Sequence, residues 1–330
     1  MKIAVVGAGA WGTAFALTLV DRHAVTLWTW QREHCESMRA ARENREFLKG
    51  YALPATIGIE HDLSRALDGA ELAIVATPVA ALRATLQSMT RIAPVPVVWL
   101  CKGFETGTSR FPHQVADETL DRSVPRAALS GPSFADEVAR GLPAAITLAS
   151  PDAAFAERAA RALHGPRLRI YSSDDLTGVE VGGAVKNVMA IAAGVSDGLG
   201  LGLSARAALI TRGLAEMTRL GVRLGGRTET FLGLSGAGDL ILTCTGDLSR
   251  NRRVGLALAT GAPLPKVLAD LGHVAEGVPT AREVRALARR HDVEMPVTEA
   301  VCRLLDGEIT AAQAAEMLLK RDPGAEHRGY

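Results

Sequence analysis

Residues 3–20, IAVVGAGAWGTAFALTLV, contain no charged side chain. An apolar run of that length is long enough to span a bilayer, so its internal punctuation decides what it becomes. Gly7, Gly9 and Gly12 interrupt it where a short strand would turn into a helix. No charged segment beyond Lys2 precedes the run and no cleavage-like pattern follows it. The expectation is therefore a buried strand, a tight turn and a helix, and no membrane role. In that setting GAGAWG reads as a GxGxxG turn. Its glycines allow a sharp reversal and let backbone approach a pyrophosphate, whose charge rests against the positive end of the helix dipole.

The first half of the chain alternates short apolar runs with helical patterns. Strands are expected at Ile3–Val6, Val25–Trp28, Leu72–Ala76, Val95–Leu100, Ala127–Leu129 and Ala145–Leu148. Helices are expected at Gly12–Asp21, Gln31–Arg42, Leu63–Leu67, Val79–Met89 and Pro151–Leu163. Near-continuous apolar strands imply a parallel sheet covered on both faces, a doubly wound, Rossmann-like α/β domain. From about Gly178 the strand pattern stops and helical spacing takes over, so an all-α domain follows. Thr280 with Glu283, and Thr310 with Gln313, have the spacing of capping boxes at helix starts. The boundary is expected within Ser172–Thr177, giving domains at 1–176 and 177–330, with Arg321–Tyr330 a frayed tail.

The 37 basic residues nearly cancel the 36 acidic ones. No broad positive field exists to gather nucleic acid or an anionic membrane, so anion binding should be local. Cys35, Cys101, Cys244 and Cys302 lie far apart without CxxC spacing, which suggests neither a metal site nor a disulfide framework and fits a reducing cytoplasm.

An NAD-selective site places an acid at the end of the second strand, for the ribose 2′-hydroxyl. Here that place reads Trp28, Thr29, Trp30, Gln31, Arg32. Nothing there repels a 2′-phosphate and Arg32 could pair with one, so NADPH, or use of both NADPH and NADH, is expected. The competing reading makes Arg32 a surface charge at a helix start.

Three other places carry chemistry. Lys102 and Gly103 follow the run ending at Leu100, and Ser130–Ala135 follows the next strand, both at the carboxyl edge of the sheet where such folds bind ligands. Lys186 and Asn187 lie in GGAVKNVMAIAAG among Val185, Val188, Met189 and Ala190, so the lysine should be half buried. Burial lowers a lysine's proton affinity into a range useful for acid–base chemistry, and Asp239, if close, would tether the amine. The alternative is a lysine whose stem snorkels to water. Ser249, Arg250, Asn251, Arg252 and Arg253 form a compact basic cluster, which either binds a small phosphate through the planar donor fork of arginine or is a solvated helix face.

GAGAWG at 7–12, CKG at 101–103, SGPSFA at 130–135, GGAVKN at 182–187, GAGDLILTC at 236–244, SRNRR at 249–253 and VAEGVPT at 274–280 together closely resemble the bacterial NAD(P)-dependent glycerol-3-phosphate dehydrogenases. The likeness runs essentially end to end. It implies a cytoplasmic enzyme, commonly a homodimer, that interconverts dihydroxyacetone phosphate and sn-glycerol 3-phosphate for phospholipid synthesis. It makes Lys186 the proton acceptor and catalytic residue. Lys102, Gly131, Ser133, Lys186, Asp239, Ser249, Arg250 and Asn251 become substrate contacts, with Asn187 and Thr243 near neighbours. Alongside the turn glycines Gly7, Gly9 and Gly12, it makes Ala10, Trp11, Trp30, Lys102, Ala135, Arg250, Val274 and Glu276 cofactor contacts. In the implied mechanism Lys102 and Lys186 polarise the ketone, and no metal takes part. Arg252 and Arg253 remain surface charges. The chain departs from the family at Ala10, where Ser is frequent, near Trp30, where a basic residue is frequent, and in FLKG at 47–50, where FLP is usual, which bears on Phe47 as a nicotinamide neighbour. A related dehydrogenase acting on a hydroxy acid is the alternative, because an arginine fork also binds carboxylate.

Overall fold

A computed structural model describes residues 1–271 and 275–320. The chain forms two compact units, Met1–Glu105 with Arg110–Leu176, and Thr106–Ser109 with Thr177 onward.

Unit 1 carries strands β1 (Lys2–Val6), β2 (Ala24–Trp28), β3 (Glu43–Asn44), β4 (Leu48–Ala52), β5 (Gly58–Glu60), β6 (Leu72–Val75), β7 (Val97–Trp99), β8 (Arg126–Ser130), β9 (Ala144–Ala149) and β10 (Leu168–Ser173). Eight of them form one sheet in the order β10-β9-β8-β7-β6-β1-β2-β5, while β3 and β4 make a separate antiparallel hairpin. Order reverses beside β1, where an open α/β sheet leaves a crevice for ligands. Ile3, Ala4, Val5 and Val6 are fully buried, as a strand covered on both faces must be. The apolar run at 3–20 is therefore split into β1 and the helix Ala10–Leu19, whose Phe15 and Leu19 are packed in the core.

The sheet is parallel, as expected, at every pairing but one. β8 and β9 pair antiparallel, Ala128 opposite Ala149 and Ser130 opposite Thr147. The connection Gly131–Pro143 holds the short helix Ala135–Ala139 and has the length of a parallel crossover, so length alone does not reveal the reversal. β10 also enters the proposed boundary segment, since Ser172 and Ser173 still pair with Leu148 and Ala149.

Unit 2 is helical among its described residues. Its helix Leu176–Gly198 is long and apolar enough to cross a membrane, yet its apolar window is wholly buried inside the protein. The helix Arg250–Ala259 packs against it so closely that only glycine fits at the crossing. A Cβ on Gly194 would meet the Arg252 carbonyl oxygen at 2.0 Å, and one on Gly255 would meet the Ile191 carbonyl oxygen at 2.0 Å. Thr310 and Gln313 form the expected capping box. Thr280 and Glu283 do not: the helix begins at Gly277, Thr280 lies buried within it, and Glu283 is otherwise engaged. Its carboxylate accepts from Gly107 N at 2.9 Å and from Ser109 Oγ at 2.5 Å, fixing the segment Thr106–Ser109. The tail at 321–330 lies outside the described residues.

Glu216, on the helix Gly202–Arg223, is 2% exposed. Its carboxyl accepts from Val297 N at 2.5 Å and from Thr298 N and Oγ at 3.1 Å each. It thus caps the helix Pro296–Leu305, whose own preceding residue Met295 offers no side-chain cap. Burial pushes this carboxyl up to about 7, against the pull of those donors and of Arg219. A carboxyl whose folded value lies above its unfolded one adds stability at acidic pH that is lost as pH climbs through the folded value. The melting temperature should therefore fall between about pH 5.5 and pH 8, reflecting roughly 2 kcal/mol. Thermal melts of Glu216→Gln should show a flatter profile over that range. Parallel profiles for the two proteins would exclude Glu216 as the source.

Candidate active site

Each unit gathers its own set of the residues singled out by sequence. In unit 1 the turn after β1 is held by a bond from Gly7 N to the Trp28 carbonyl, 3.0 Å. Gly7 sits at φ 120°, and a Cβ there would meet backbone of Ala76 at 2.8 Å. A Cβ on Gly9 would instead meet nothing within 4 Å. Gly9 precedes the helix Ala10–Leu19 with no side-chain cap, leaving the first backbone N–H groups of that helix for an outside acceptor. Open space over bare helix-start donors suits a dinucleotide pyrophosphate.

Ala10 and Trp11 open the helix half-buried, Trp11 resting edge-on against Phe15 at 5.5 Å. At the end of β2, Trp30 is 75% exposed. Arg32 is the exposed first residue of the helix Arg32–Ala41 and makes no hydrogen bond or ion pair among the described residues. Phe47 lies on the β3–β4 hairpin, edge-on to His34 at 5.2 Å.

Beyond β7 and β8, Lys102, Gly131 and Ser133 converge. Lys102 Nζ donates to the Gly131 carbonyl at 3.4 Å and Ser133 Oγ donates to the same oxygen at 3.2 Å. Gly131 has φ 146°, outside the range a larger residue adopts comfortably. Ala135 starts the short helix that follows.

In unit 2, Lys186 is 7% exposed, more enclosed than its sequence surroundings suggest. Its Nζ donates to Asp239 Oδ1 at 2.5 Å and to Thr243 Oγ at 3.1 Å. The Thr243 hydroxyl in turn donates to the Asp239 carbonyl oxygen at 2.6 Å, one helical turn back. Asp239 is 1% exposed, so the pair is a buried ion pair in which each charge compensates the other. The tether across 53 residues, an assumption at the sequence level, is present.

Asn187 and Asn251 extend the cluster. Asn251 Nδ2 donates to Asn187 Oδ1 at 2.9 Å, while Asn251 Oδ1 accepts from Gly277 N at 2.9 Å. Glu276 stands just before that helix, and Val274 lies outside the described residues. Ser249 caps Arg250–Ala259, its Oγ accepting from Arg252 N at 3.2 Å.

The five residues of the basic cluster separate by environment. Arg250, first in its helix, is exposed and makes no hydrogen bond or ion pair among the described residues. Arg252 is not the surface charge expected. It is 9% exposed, donates to Asp197 Oδ2 through Nε at 2.9 Å and Nη2 at 2.7 Å, and reaches Asp247 at 2.8 Å. Arg206 joins the same Asp197 oxygen at 3.0 Å. Arg253 is left as an ordinary exposed charge. Asp197 escapes a reading of the sequence because an acid near the end of an apolar helix gives no cue to a partner 55 residues away.

These clusters fall within two matched family models. The N-terminal model of NAD-dependent glycerol-3-phosphate dehydrogenase covers residues 2–156 and the C-terminal model covers 175–316. The chain is 58% identical to glycerol-3-phosphate dehydrogenase [NAD(P)+] of Dechloromonas aromatica over 99% of both chains. It is 57% identical to the Nitrosospira multiformis enzyme of that name, again over 99% of each. The crystal structure of glycerol-3-phosphate dehydrogenase from Coxiella burnetii superposes with a TM-score of 0.93 at 43% identity, covering 97% of this chain and 99% of that one. With its glycine turn, its buried lysine–aspartate pair and both halves matched, the chain belongs to the NAD-dependent glycerol-3-phosphate dehydrogenase family.

Proposed function

We infer that this protein reduces dihydroxyacetone phosphate to sn-glycerol 3-phosphate, and reverses the reaction, with NADPH or NADH. The observation that carries the reading is the buried Lys186 amine held by Asp239 and Thr243. A bound nicotinamide supplies hydride to the ketone carbon. Lys186 gives a proton to the ketone oxygen in reduction and takes it back from the alcohol in oxidation. Asp239 stabilises the charged amine where burial would otherwise penalise it, and fixes its direction. Arg250 anchors the phosphate away from the reacting carbon, with Ser249 and Asn251 beside it, and so limits the substrate's orientations before the transfer. Lys102, Gly131 and Ser133 are the substrate contacts proposed in unit 1. NADPH is the preferred cofactor in this reading, supported by the missing acid after β2 and by the uncommitted guanidinium of Arg32. A cytoplasmic homodimer is part of the same proposal and rests on the family resemblance.

Adding dihydroxyacetone phosphate to enzyme and NADPH should lower the cofactor absorbance, with a slower rate when NADH replaces it. Turnover of a keto acid such as glyoxylate, and none of the triose phosphate, would transfer the assignment to a hydroxy-acid dehydrogenase.

A further inference from the structure

Asn44 is fully buried, and every hydrogen-bonding position of its amide is used. Nδ2 donates to the Ala8 carbonyl and to Thr13 Oγ, each at 2.8 Å. Oδ1 accepts from His34 Nε2 at 3.0 Å and from Phe47 N at 3.2 Å. Because Oδ1 can only accept, the His34 ring carries its proton on Nε2, and Nδ1 receives the Thr29 hydroxyl at 3.1 Å. Thr13, Thr29 and His34 are buried as well. A closed polar chain thus runs from the first residue after β2 to the middle of the glycine turn.

The end of this chain at Ala8 has a specific consequence. In a trans peptide the carbonyl of one residue and the N–H of the next point in opposite directions. With the Ala8 carbonyl drawn inward to Asn44, the following N–H, that of Gly9, is turned outward. Gly9 is where an added Cβ would meet nothing within 4 Å, and its N–H makes no hydrogen bond among the described residues.

We propose that Asn44, steadied by His34, is a positioning residue for the cofactor. It sets the plane of the Ala8–Gly9 peptide so that Gly9 N–H is presented to the pyrophosphate. The inference rests on the dinucleotide reading above and adds a residue outside the glycine motif that makes the motif's donor usable. An alanine at 44 frees the Ala8 carbonyl to rotate toward solvent, and the Gly9 donor turns away with it. Aspartate at 44 accepts from His34 and Phe47 but has no proton for Ala8, so a substitution of nearly equal volume should be as damaging.

The test is a fluorescence titration of the whole protein with NADPH in the absence of triose phosphate, run beside initial-rate kinetics and thermal melts. Asn44→Ala and Asn44→Asp should weaken NADPH binding about tenfold, the scale of one hydrogen bond to a charged group. The KM for dihydroxyacetone phosphate, and kcat at saturating cofactor, should stay within about threefold. If the Asn44 variants fail to fold, His34 supplies the reading. His34→Ala should weaken NADPH binding several-fold, and His34→Gln, whose amide can still donate to Asn44, should restore most of it. NADPH binding equal to that of the unaltered protein, with only a lower melting temperature, would reduce the network to a stabilising role and overturn the proposal. Absence of NADPH binding by the unaltered protein would overturn the dinucleotide reading and this inference with it.

Discussion

Replacing Lys186 by alanine should lower kcat by about a hundredfold or more, the range expected when a general acid–base group is lost, while NADPH binding persists. The loss has two sources, and the experiment must part them. One is chemical: in the proposed mechanism, no amine remains to exchange the substrate proton. The other is structural, because Asp239 at 1% exposure would lose the Lys186 amine that donates to it, and breaking a buried ion pair by removing one member commonly costs about 3–5 kcal/mol. Lys186→Ala combined with Asp239→Asn removes the carboxylate charge as well. It should recover most of the lost thermal stability and none of the lost turnover. If turnover recovers with stability, Lys186 is a packing element and the proton comes from elsewhere.

Arg250→Ala should act on the other limb of the kinetics. Its guanidinium is exposed and uncommitted among the described residues, so its removal strands no partner, and stability should be nearly unchanged. If the fork binds the substrate phosphate through two charged hydrogen bonds, its loss should cost about 3 kcal/mol, or roughly a hundredfold in kcat/KM. Most of that should appear as a raised KM for dihydroxyacetone phosphate, with a smaller fall in kcat where remote binding energy assists the reaction. Arg252→Ala is the contrasting variant, since it breaks the contacts to Asp197 and Asp247 and should show first in the melting temperature. An unchanged KM in Arg250→Ala would remove phosphate anchoring from this helix start.

The glycine turn and the central strands are legible in the sequence because their signals are local. Four buried apolar residues in a row define β1 and β6, and the three glycines of the turn fall within six residues of one another. β10 is not legible, because its outward Arg169 and Tyr171 break the apolar run, as happens on a strand at a sheet edge. β5 is three residues long, too short for any period to register. The Thr280–Glu283 pair has capping-box spacing, but the side chains that satisfy a helix start must also lie at one, and the helix has already begun at Gly277. Lys186 and Asp239 can each be suspected from their apolar neighbours, whereas their contact depends on how two helices pack. Asn44 is invisible, since the charged surroundings of ARENREF read as a solvated turn and nothing there marks a fully buried amide.

The bonds from Thr106–Ser109 to Glu283 reach across 174 to 176 residues. A ribosome adding about 5–20 residues per second needs on the order of ten seconds or more to travel that far. During that interval the stretch just beyond Lys102 has been made, but the carboxylate that will hold Gly107 and Ser109 has not. The nascent chain therefore carries this short segment unfinished through most of its synthesis, and its native hydrogen bonds form only when the late helix Gly277–Arg290 emerges.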